Sequence, residues 1–316
     1  MKAHAVRVVW ATLMMACFAA LAQAQMVPDV AARIQALGPV INPPATAAIY
    51  APRMLEKEPY AGVTVQRDVR YGEDARNLLD IFAPEAKSAA PRAVFMFVHG
   101  GAFIRGDRRG APGSPFYDNV MLWAVRNGMI GVNLTYRLAP AHKWPAGAQD
   151  VGQAVRWVHD HIAAAGGDPT RVFLMGHSAG AIHVATYVAQ PQFQQVPRAG
   201  VAGALILSAL YNFTPALMST DGGNKVYLGD DPDKWAERSP FYGLLGTRVP
   251  LWIGYAELDP PAFVAQAEEM DGLLCHLGRC PALSRFAGHS HMSEIYSVNS
   301  DDHQVGDAML AFVKAH

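Results

Sequence analysis

Residues Gly176-His177-Ser178-Ala179-Gly180 form a G-x-S-x-G pattern between two apolar segments. The run before it, residues 171–175, is typical of a buried parallel strand, and residues 181–188 after it are typical of a helix. On a tight turn from strand to helix, the serine hydroxyl projects from the end of the sheet, and the glycines let neighbouring backbones approach closely. The N-terminus of the helix offers free N–H groups to a developing negative charge. The pattern therefore predicts that Ser178 is a nucleophile, in preference to an ordinary glycine-rich turn.

Strands and helices alternate along most of the chain. After a hairpin built from residues 63–70 and 78–83, strands are predicted over 93–98, 129–136, 171–175, 202–209, 249–255 and 282–286. Helices are predicted over 117–127, 150–165, 181–188, 261–277 and 304–314. Repeated strand–helix units with continuous apolar strands indicate an α/β fold, in which a mostly parallel sheet is covered by helices on both faces. Ligands bind such sheets at the carboxyl ends of the strands.

The first 24 residues have the pattern of a cleaved secretory signal peptide. Lys2 and Arg7 precede a short apolar run, which ends at Ala22-Gln23-Ala24. Residues 15–17 loosely resemble a lipoprotein box, but apolar residues continue after Cys17, which argues against a lipid anchor. The run is too short for a membrane span, so we expect no stable membrane insertion. The pattern predicts export to the periplasm or the medium.

Charge and length restrict the remaining function classes. Removal of Lys2 and Arg7 leaves 24 basic residues against 27 acidic ones, so the net charge moves from −1 to −3. Nucleic-acid binding needs a concentrated basic surface, and this balance argues against it. Residues 25–316 are expected to form a single domain, in which 25–60 and 210–247 contribute a small cap over the sheet. The sequence does not specify the oligomeric state.

Two cysteines remain after signal cleavage. Cys275 and Cys280 are separated by four residues, between the end of a predicted helix and the next strand. In an oxidising compartment this pair favours a short disulfide over two independent thiols. A zinc site is disfavoured because the chain has no second cysteine pair, and no metal or other cofactor is implied.

A serine nucleophile needs a base and an acid that orients the base, in the chain order serine, acid, histidine. The acid should follow the strand at 249–255, where both Glu257 and Asp259 occur. Asp259 is favoured because Pro260-Pro261 fixes the turn and starts the next helix, and Glu257 is the alternative. The base should follow the last strand, where His289 and His291 are both candidates.

The loop after the strand at 93–98 reads His99-Gly100-Gly101-Ala102-Phe103. Glycines leave backbone N–H groups unshielded, so this loop is expected to stabilise the oxyanion of an acyl-transfer reaction. The predicted donors are the backbone amides of Gly101, Ala102 and Ala179. His99 is expected to anchor the loop and to take no part in proton transfer.

Four motifs together resemble the α/β-hydrolase superfamily. They are the His99 loop, residues 136–140 (Tyr-Arg-Leu-Ala-Pro), the Ser178 motif, and residues 288–293 (Gly-His-Ser-His-Met-Ser). Within the superfamily, the chain is similar to carboxylesterases related to hormone-sensitive lipase and to kynurenine-formamidase-like esterases, from about residue 63 onwards. The resemblance implies that His291 is the base, because it stands before an apolar residue and a serine. Ala102 departs from the third glycine that the lipase relatives usually carry.

The resemblance and the motifs predict a serine hydrolase that cleaves small carboxylic esters through an acyl-enzyme on Ser178, with Asp259 and His291. The same triad would serve an amidase, formamidase or peptidase, in which His291 must protonate a leaving amine. An inactive hydrolase fold used as a binding module is a further alternative. It is disfavoured because such proteins usually lose the nucleophile or the base, and this chain keeps both.

Overall fold

The computed structural model of the chain describes residues 26–54, 57–218 and 222–316. The predicted signal peptide at 1–24, with Cys17, lies outside these residues. No helix in the described ranges is long and apolar enough to cross a membrane.

The strands of the described residues form one eight-stranded sheet. They are β1 Val63–Arg70, β2 Leu78–Pro84, β3 Arg92–Val98, β4 Ile130–Leu134, β5 Gly167–His177, β6 Gly203–Leu207, β7 Leu251–Leu258 and β8 Ala282–Ser290. Their order in the sheet is β1-β2-β4-β3-β5-β6-β7-β8. Strand β2 pairs antiparallel with β1 and β4, and every other pairing is parallel. The prediction of a mostly parallel sheet that follows a hairpin is confirmed.

Helices cover both faces of this sheet. They are α1 Pro28–Leu37, α2 Pro43–Tyr50, α3 Asp118–Arg126, α4 Ala146–His161, α5 Ala179–Ala189, α6 Pro215–Met218, α7 Gly222–Leu228, α8 Pro232–Arg238, α9 Phe241–Gly246, α10 Pro261–His276, α11 Ser293–Tyr296 and α12 Gln304–Ala315. Short 3₁₀ turns occur at Ala51–Arg53, Ile162–Ala165, Pro191–Phe193 and Pro197–Gly200.

Side chains of the central strand β5 point alternately to the two faces of the sheet, and the hydrophobic core has one layer on each face. Val172 and Leu174 of β5 pack in one cluster, with α4, α5 and α10. Phe173 and Met175 point to the other face and pack with α1, α2, α3 and α12. Successive side chains of a strand alternate in direction, so a continuous apolar run requires cover on both sides.

Some element boundaries differ from the predictions. Strand β8 continues to Ser290 instead of ending at residue 286, because Ser290 pairs with Leu258 beyond a register shift in β7. Helix α4 begins at Ala146, four residues before the predicted start, and its last turn becomes 3₁₀ before Gly166. The continuation of β8 carries the two candidate histidines to the carboxyl edge of the sheet.

We expect Cys275 and Cys280 to be joined in the purified protein. Cys275 lies in the last turn of α10 and is bonded to Cys280, with Cα atoms 4.0 Å apart. Because the closed loop is short, reduction should lower the free energy of unfolding by only about 2 kcal/mol. Mass spectrometry of alkylated protein, with and without prior reduction, measures the state of both thiols. Alkylation of both without reduction would contradict the bond.

Candidate active site

Ser178 occupies the sharp turn between β5, which ends at His177, and α5, which begins at Ala179. Its backbone has φ 57° and ψ −126°, a region that non-glycine residues rarely adopt and that concentrates at functional sites. A Cβ added to Gly176 would lie 2.4 Å from the carbonyl oxygen of Gly180. One added to Gly180 would lie 2.2 Å from the carbonyl oxygen of Val98. Both glycines of the motif are therefore required by the close packing of this turn.

Asp259 follows β7 and is buried. Its Oδ1 lies 2.6 Å from Nδ1 of His291. Its Oδ2 accepts hydrogen bonds from the Ser208 hydroxyl at 2.5 Å and from the Ala256 N–H at 2.9 Å. Three donors therefore stabilise one carboxylate and fix its orientation, which is the arrangement that an acid orienting a catalytic histidine needs.

Glu257, the alternative acid, points away from this group. Its side chain is 39% exposed, and it accepts hydrogen bonds from Arg285 Nη2 at 3.0 Å and from the Gly288 N–H at 2.8 Å. In a straight strand, residues two positions apart point to the same face. The backbone turns after Leu258, so Glu257 faces solvent while Asp259 faces the carboxyl end of the sheet.

The two acids give a direct prediction. Asp259→Asn should lower kcat for ester hydrolysis by about 10⁴-fold, because the amide cannot hold His291 in the required tautomer. Glu257→Gln, the same chemical change two residues away, should retain most of the activity. Steady-state kinetics on a chromogenic ester measures both variants. Equal losses, or a greater loss in Glu257→Gln, would contradict the assignment.

His291 lies immediately after β8 and is almost fully buried. With Nδ1 directed to Asp259, its Nε2 has no hydrogen-bond partner among the described residues. The ring stands edge-on to Phe263, with ring centroids 5.1 Å apart. One nitrogen is therefore fixed and the other is left for proton transfer.

His289, the alternative base, belongs to a separate polar group. Its Nδ1 lies 3.1 Å from the Ser293 hydroxyl, and its Nε2 lies 3.3 Å from Oδ2 of Asp302. The Tyr50 hydroxyl of α2 donates to the same carboxylate oxygen at 3.1 Å. Both ring nitrogens of His289 therefore face structural partners on the side of the N-terminal helices.

The His99 loop passes directly against Ser178. A Cβ on Gly100 would come within 3.1 Å of the Ser178 Cβ. Gly101 has φ 130°, and a side chain there would collide with the carbonyl oxygen of Arg105 at 2.0 Å. Ala102 follows with φ 51°. In the part of the chain that the structure describes, the N–H groups of Gly101, Ala102 and Ala179 make no hydrogen bond, so they are available as oxyanion donors.

His99 itself anchors this loop. Its ring stacks on Tyr136 at 4.4 Å, and the Tyr136 hydroxyl donates to the His99 carbonyl at 2.9 Å. Nδ1 of His99 lies 2.6 Å from the carbonyl oxygen of Gly100. Burial lowers the pKa of His99 to about 4, so the ring is neutral near pH 7 and supports the loop through packing and hydrogen bonds.

A cavity of about 410 Å³ opens at Ser178. Its walls are mainly apolar and come from five parts of the chain: Ile41, Ala102, Phe103, Ala179, Ile182, Leu210, Leu217, Asn224, Pro260, Pro261, Ala262 and Phe263. The cavity is not lined by the aromatic residues Trp144, Phe213 and Tyr227. Tyr227 instead lies behind the wall and stacks on Phe103 at 4.4 Å.

Two larger cavities, of about 770 and 630 Å³, lie elsewhere, and none of the residues of this site lines them. The convergence of Ser178, the buried His291–Asp259 pair and the free loop amides identifies the candidate active site.

Three buried residues around this group had not been predicted. Ser208 follows β6 and holds Asp259. His177 donates through its Nε2–H to the His291 carbonyl oxygen at 2.8 Å. Glu294 of α11 lies with its Oε1 3.4 Å from the same nitrogen of His177. The signal that could have found the first two is their position at the carboxyl ends of central strands.

The chain is similar to several proteins that are named as esterases. A model of the BD-FAE family matches residues 79–198. The chain is similar to Esterase LipQ of Mycobacterium tuberculosis, with 30% identity over 229 residues that cover 67% of this chain and 53% of LipQ. It is also similar to the para-nitrobenzyl esterase of Bacillus subtilis, with 36% identity over 124 residues that cover 36% of this chain and 24% of that enzyme. The chain thus spans about half or less of the length of these curated relatives.

Solved structures of esterases resemble most of this chain in fold. Esterase B from Lactobacillus rhamnosis matches with a TM-score of 0.68 and 17% identity, over 91% of this chain and 95% of its own. A thermostable esterase from Pseudomonas putida matches with a TM-score of 0.67 and 20% identity, over 91% and 96% of the two chains. At these identities the likeness concerns the fold and does not extend to the substrate.

Proposed function

We propose that this protein, which has the α/β-hydrolase fold, is a serine hydrolase of small carboxylic esters. The observation that carries the proposal is the buried His291–Asp259 pair, joined at 2.6 Å, at the same end of the sheet as the Ser178 turn and its apolar cavity. The similarity to several proteins named as esterases supports the same reaction.

In the proposed reaction, Nε2 of His291 accepts the proton of Ser178 while the serine oxygen attacks the ester carbonyl. The amides of Gly101, Ala102 and Ala179 stabilise the negative charge on the carbonyl oxygen. His291 then gives its proton to the leaving alcohol, which departs as the C–O bond breaks and an acyl-enzyme forms. Water, deprotonated by His291, attacks the acyl group, and the proton returns to Ser178 as the acid is released. Asp259 stabilises the imidazolium at each stage.

The cavity supports an apolar substrate. Its side walls include Phe103 and Phe263, and Asn224 is a single amide among mainly apolar neighbours. Leu210 and Leu217 come from the predicted cap segment 210–247, and Ile41 comes from the segment 25–60. We propose that these two segments shape the acyl and alcohol sites.

The test of the reaction compares substrates that differ in the bond to be cleaved, ester or amide. Purified protein is assayed against a chain-length series of chromogenic acyl esters, an aryl formamide and a peptide amide, with Ser178→Ala as the blank. Hydrolysis of the esters that disappears in the variant is expected. Faster hydrolysis of the formamide or the peptide would assign the protein to amide chemistry. No turnover, together with no labelling by a serine-reactive phosphonate, would assign it to a binding role.

We further propose that the protein is exported through cleavage after Ala24. Residues 1–24 motivate this, and the Cys275–Cys280 bond suits an oxidising compartment. N-terminal sequencing of protein secreted by a heterologous bacterial host tests it. A mature chain that still begins at Met1 would contradict it.

A further inference from the structure

We infer that Glu294 is a positioning residue that acts as a neutral carboxylic acid, linked through Ser208 to Asp259 and through His177 to His291. The inference rests on the proposed function, because it concerns how the same triad is held.

Glu294 is enclosed beside the triad. Its side chain is fully buried in α11, three residues after His291. In the described structure neither of its carboxyl oxygens has a well-aligned hydrogen bond, and the His177 Nε2, at 3.4 Å from Oε1, is a long contact. A buried ionised carboxylate normally requires several close donors or a cation. Glu294 has neither.

The neighbouring charges do not favour ionisation. Asp259 lies close enough to raise the pKa of Glu294, and its own charge is already balanced by Ala256, Ser208 and His291. Two adjacent buried carboxyls cannot both ionise without a cation between them.

The remaining candidate for a cation is His177, and it is neutral. Burial, followed by repulsion from His291, lowers the pKa of His177 well below its usual range. Burial, followed by the charge of Asp259, raises the pKa of Glu294 well above its usual range. A proton donated by the Ser208 hydroxyl would oppose this, but that proton goes to Asp259. The proton therefore remains on Glu294 at neutral pH, and Asp259 carries the single negative charge of the group.

A protonated Glu294 is able to join two chains of hydrogen bonds. The Ser208 hydroxyl, which interacts with Glu294, donates its one proton to Asp259 at 2.5 Å, so only its oxygen is left for the carboxylic O–H of Glu294. The Nε2–H of His177 donates to the His291 carbonyl at 2.8 Å, with the other Glu294 oxygen as a weaker second acceptor. Glu294 thereby supports the acid through Ser208 and the backbone of the base through His177.

This arrangement has a consequence for the proton transfer. With Glu294 neutral, His291 has one carboxylate, Asp259, beside it instead of two. A second charge at Glu294 would stabilise the imidazolium further and weaken its tendency to return the proton to the leaving alcohol. The neutral state of Glu294 therefore favours the return of the proton from His291 to the leaving alcohol.

The test uses Glu294→Ala, the conservative Glu294→Gln, and Glu237→Gln as a matched control. The Glu237 side chain is 66% exposed and lies outside the site. Glu294→Ala should lower kcat by about 10- to 100-fold, since loss of a supporting contact displaces reacting groups. Glu294→Gln, which is neutral and keeps a donor and an acceptor, should restore kcat to within about threefold of wild type, with the acid limb of the pH–rate profile near its wild-type position. Glu237→Gln should match wild type.

A second measurement does not depend on turnover. Infrared spectra of protein labelled with ¹³C-glutamate at neutral pH should contain the C=O band of a protonated carboxylic acid, and this band should be missing in Glu294→Gln. Absence of the band in wild type, or a shift of the acid limb to lower pH by about one unit or more in Glu294→Gln, would show an ionised Glu294 and overturn the inference.

Wild-type kcat in Glu294→Ala would also overturn the inference, by showing a packing role only. If the protein hydrolyses no ester, the infrared band still decides the state of Glu294, so failure of the inference and failure of the proposed function remain separable. The spectrum of labelled wild-type protein decides the same point if a variant does not fold.

Discussion

Replacing Ser178 with alanine is expected to lower kcat for ester hydrolysis by about 10⁶-fold while the protein stays folded. The loss is this large because the serine, the base and the acid act as a unit, and removal of the nucleophile makes the other two ineffective. Alanine differs from serine by one hydroxyl, and it has to adopt the same positive φ that the serine adopts. Steady-state kinetics on a short acyl ester measures the effect, and thermal unfolding verifies the fold.

The matched control is Ser88→Ala, which removes an exposed hydroxyl in the loop between β2 and β3. It should keep wild-type kinetics. A serine-reactive phosphonate should label wild type and Ser88→Ala at Ser178, and should leave Ser178→Ala unlabelled. Hydrolysis by purified Ser178→Ala at the wild-type rate would end the proposed mechanism.

The sheet was predictable because its central strands are continuous apolar runs that only a doubly covered sheet can bury. Strand β8 was predicted too short, since residues 287–290 read Ala-Gly-His-Ser and have little strand propensity of their own. Their pairing with β7 is a tertiary effect that local patterns do not contain.

The short helices were missed for a different reason. Helices α6 to α9 have four to seven residues, too few to establish a 3.6-residue period. The available signal was proline, which starts α1, α2, α6 and α8 and is favoured at the first helical position.

The position of each site residue along the chain could be predicted, but the choice between near neighbours could not. Glu257 and Asp259 have the same charge and both follow β7. The structure separates them because the Ala256 N–H and the Ser208 hydroxyl are available to Asp259 alone. Ser208 is 51 residues away in the chain, so no local pattern specifies that contact.

The two histidines give the last prediction. His291→Ala should lower kcat by nearly as much as Ser178→Ala, about 10⁶-fold, because no other group in the site can accept the serine proton. His289→Ala should keep a substantial fraction of the activity, since both of its nitrogens face Ser293 and Asp302. The two histidines lie two positions apart and lose the same side chain, so each variant serves as the control for the other.

His289→Ala should mainly lower the free energy of unfolding. Burial alone would raise the pKa of Asp302, but the interactions with His289, together with hydrogen bonds from the Gln304 N–H and the Tyr50 hydroxyl, outweigh burial and hold that pKa below its usual value. An acid with a lowered pKa stabilises the fold above its unfolded pKa, and this contribution is lost as the pH falls through the folded pKa. Loss of the partner should therefore cost about 1–3 kcal/mol near neutral pH. The difference from wild type should shrink toward acid pH, as Asp302 becomes protonated. Denaturant unfolding at several pH values measures this. A large loss of kcat in His289→Ala, with little loss in His291→Ala, would move the base to His289 and leave the nucleophile in place.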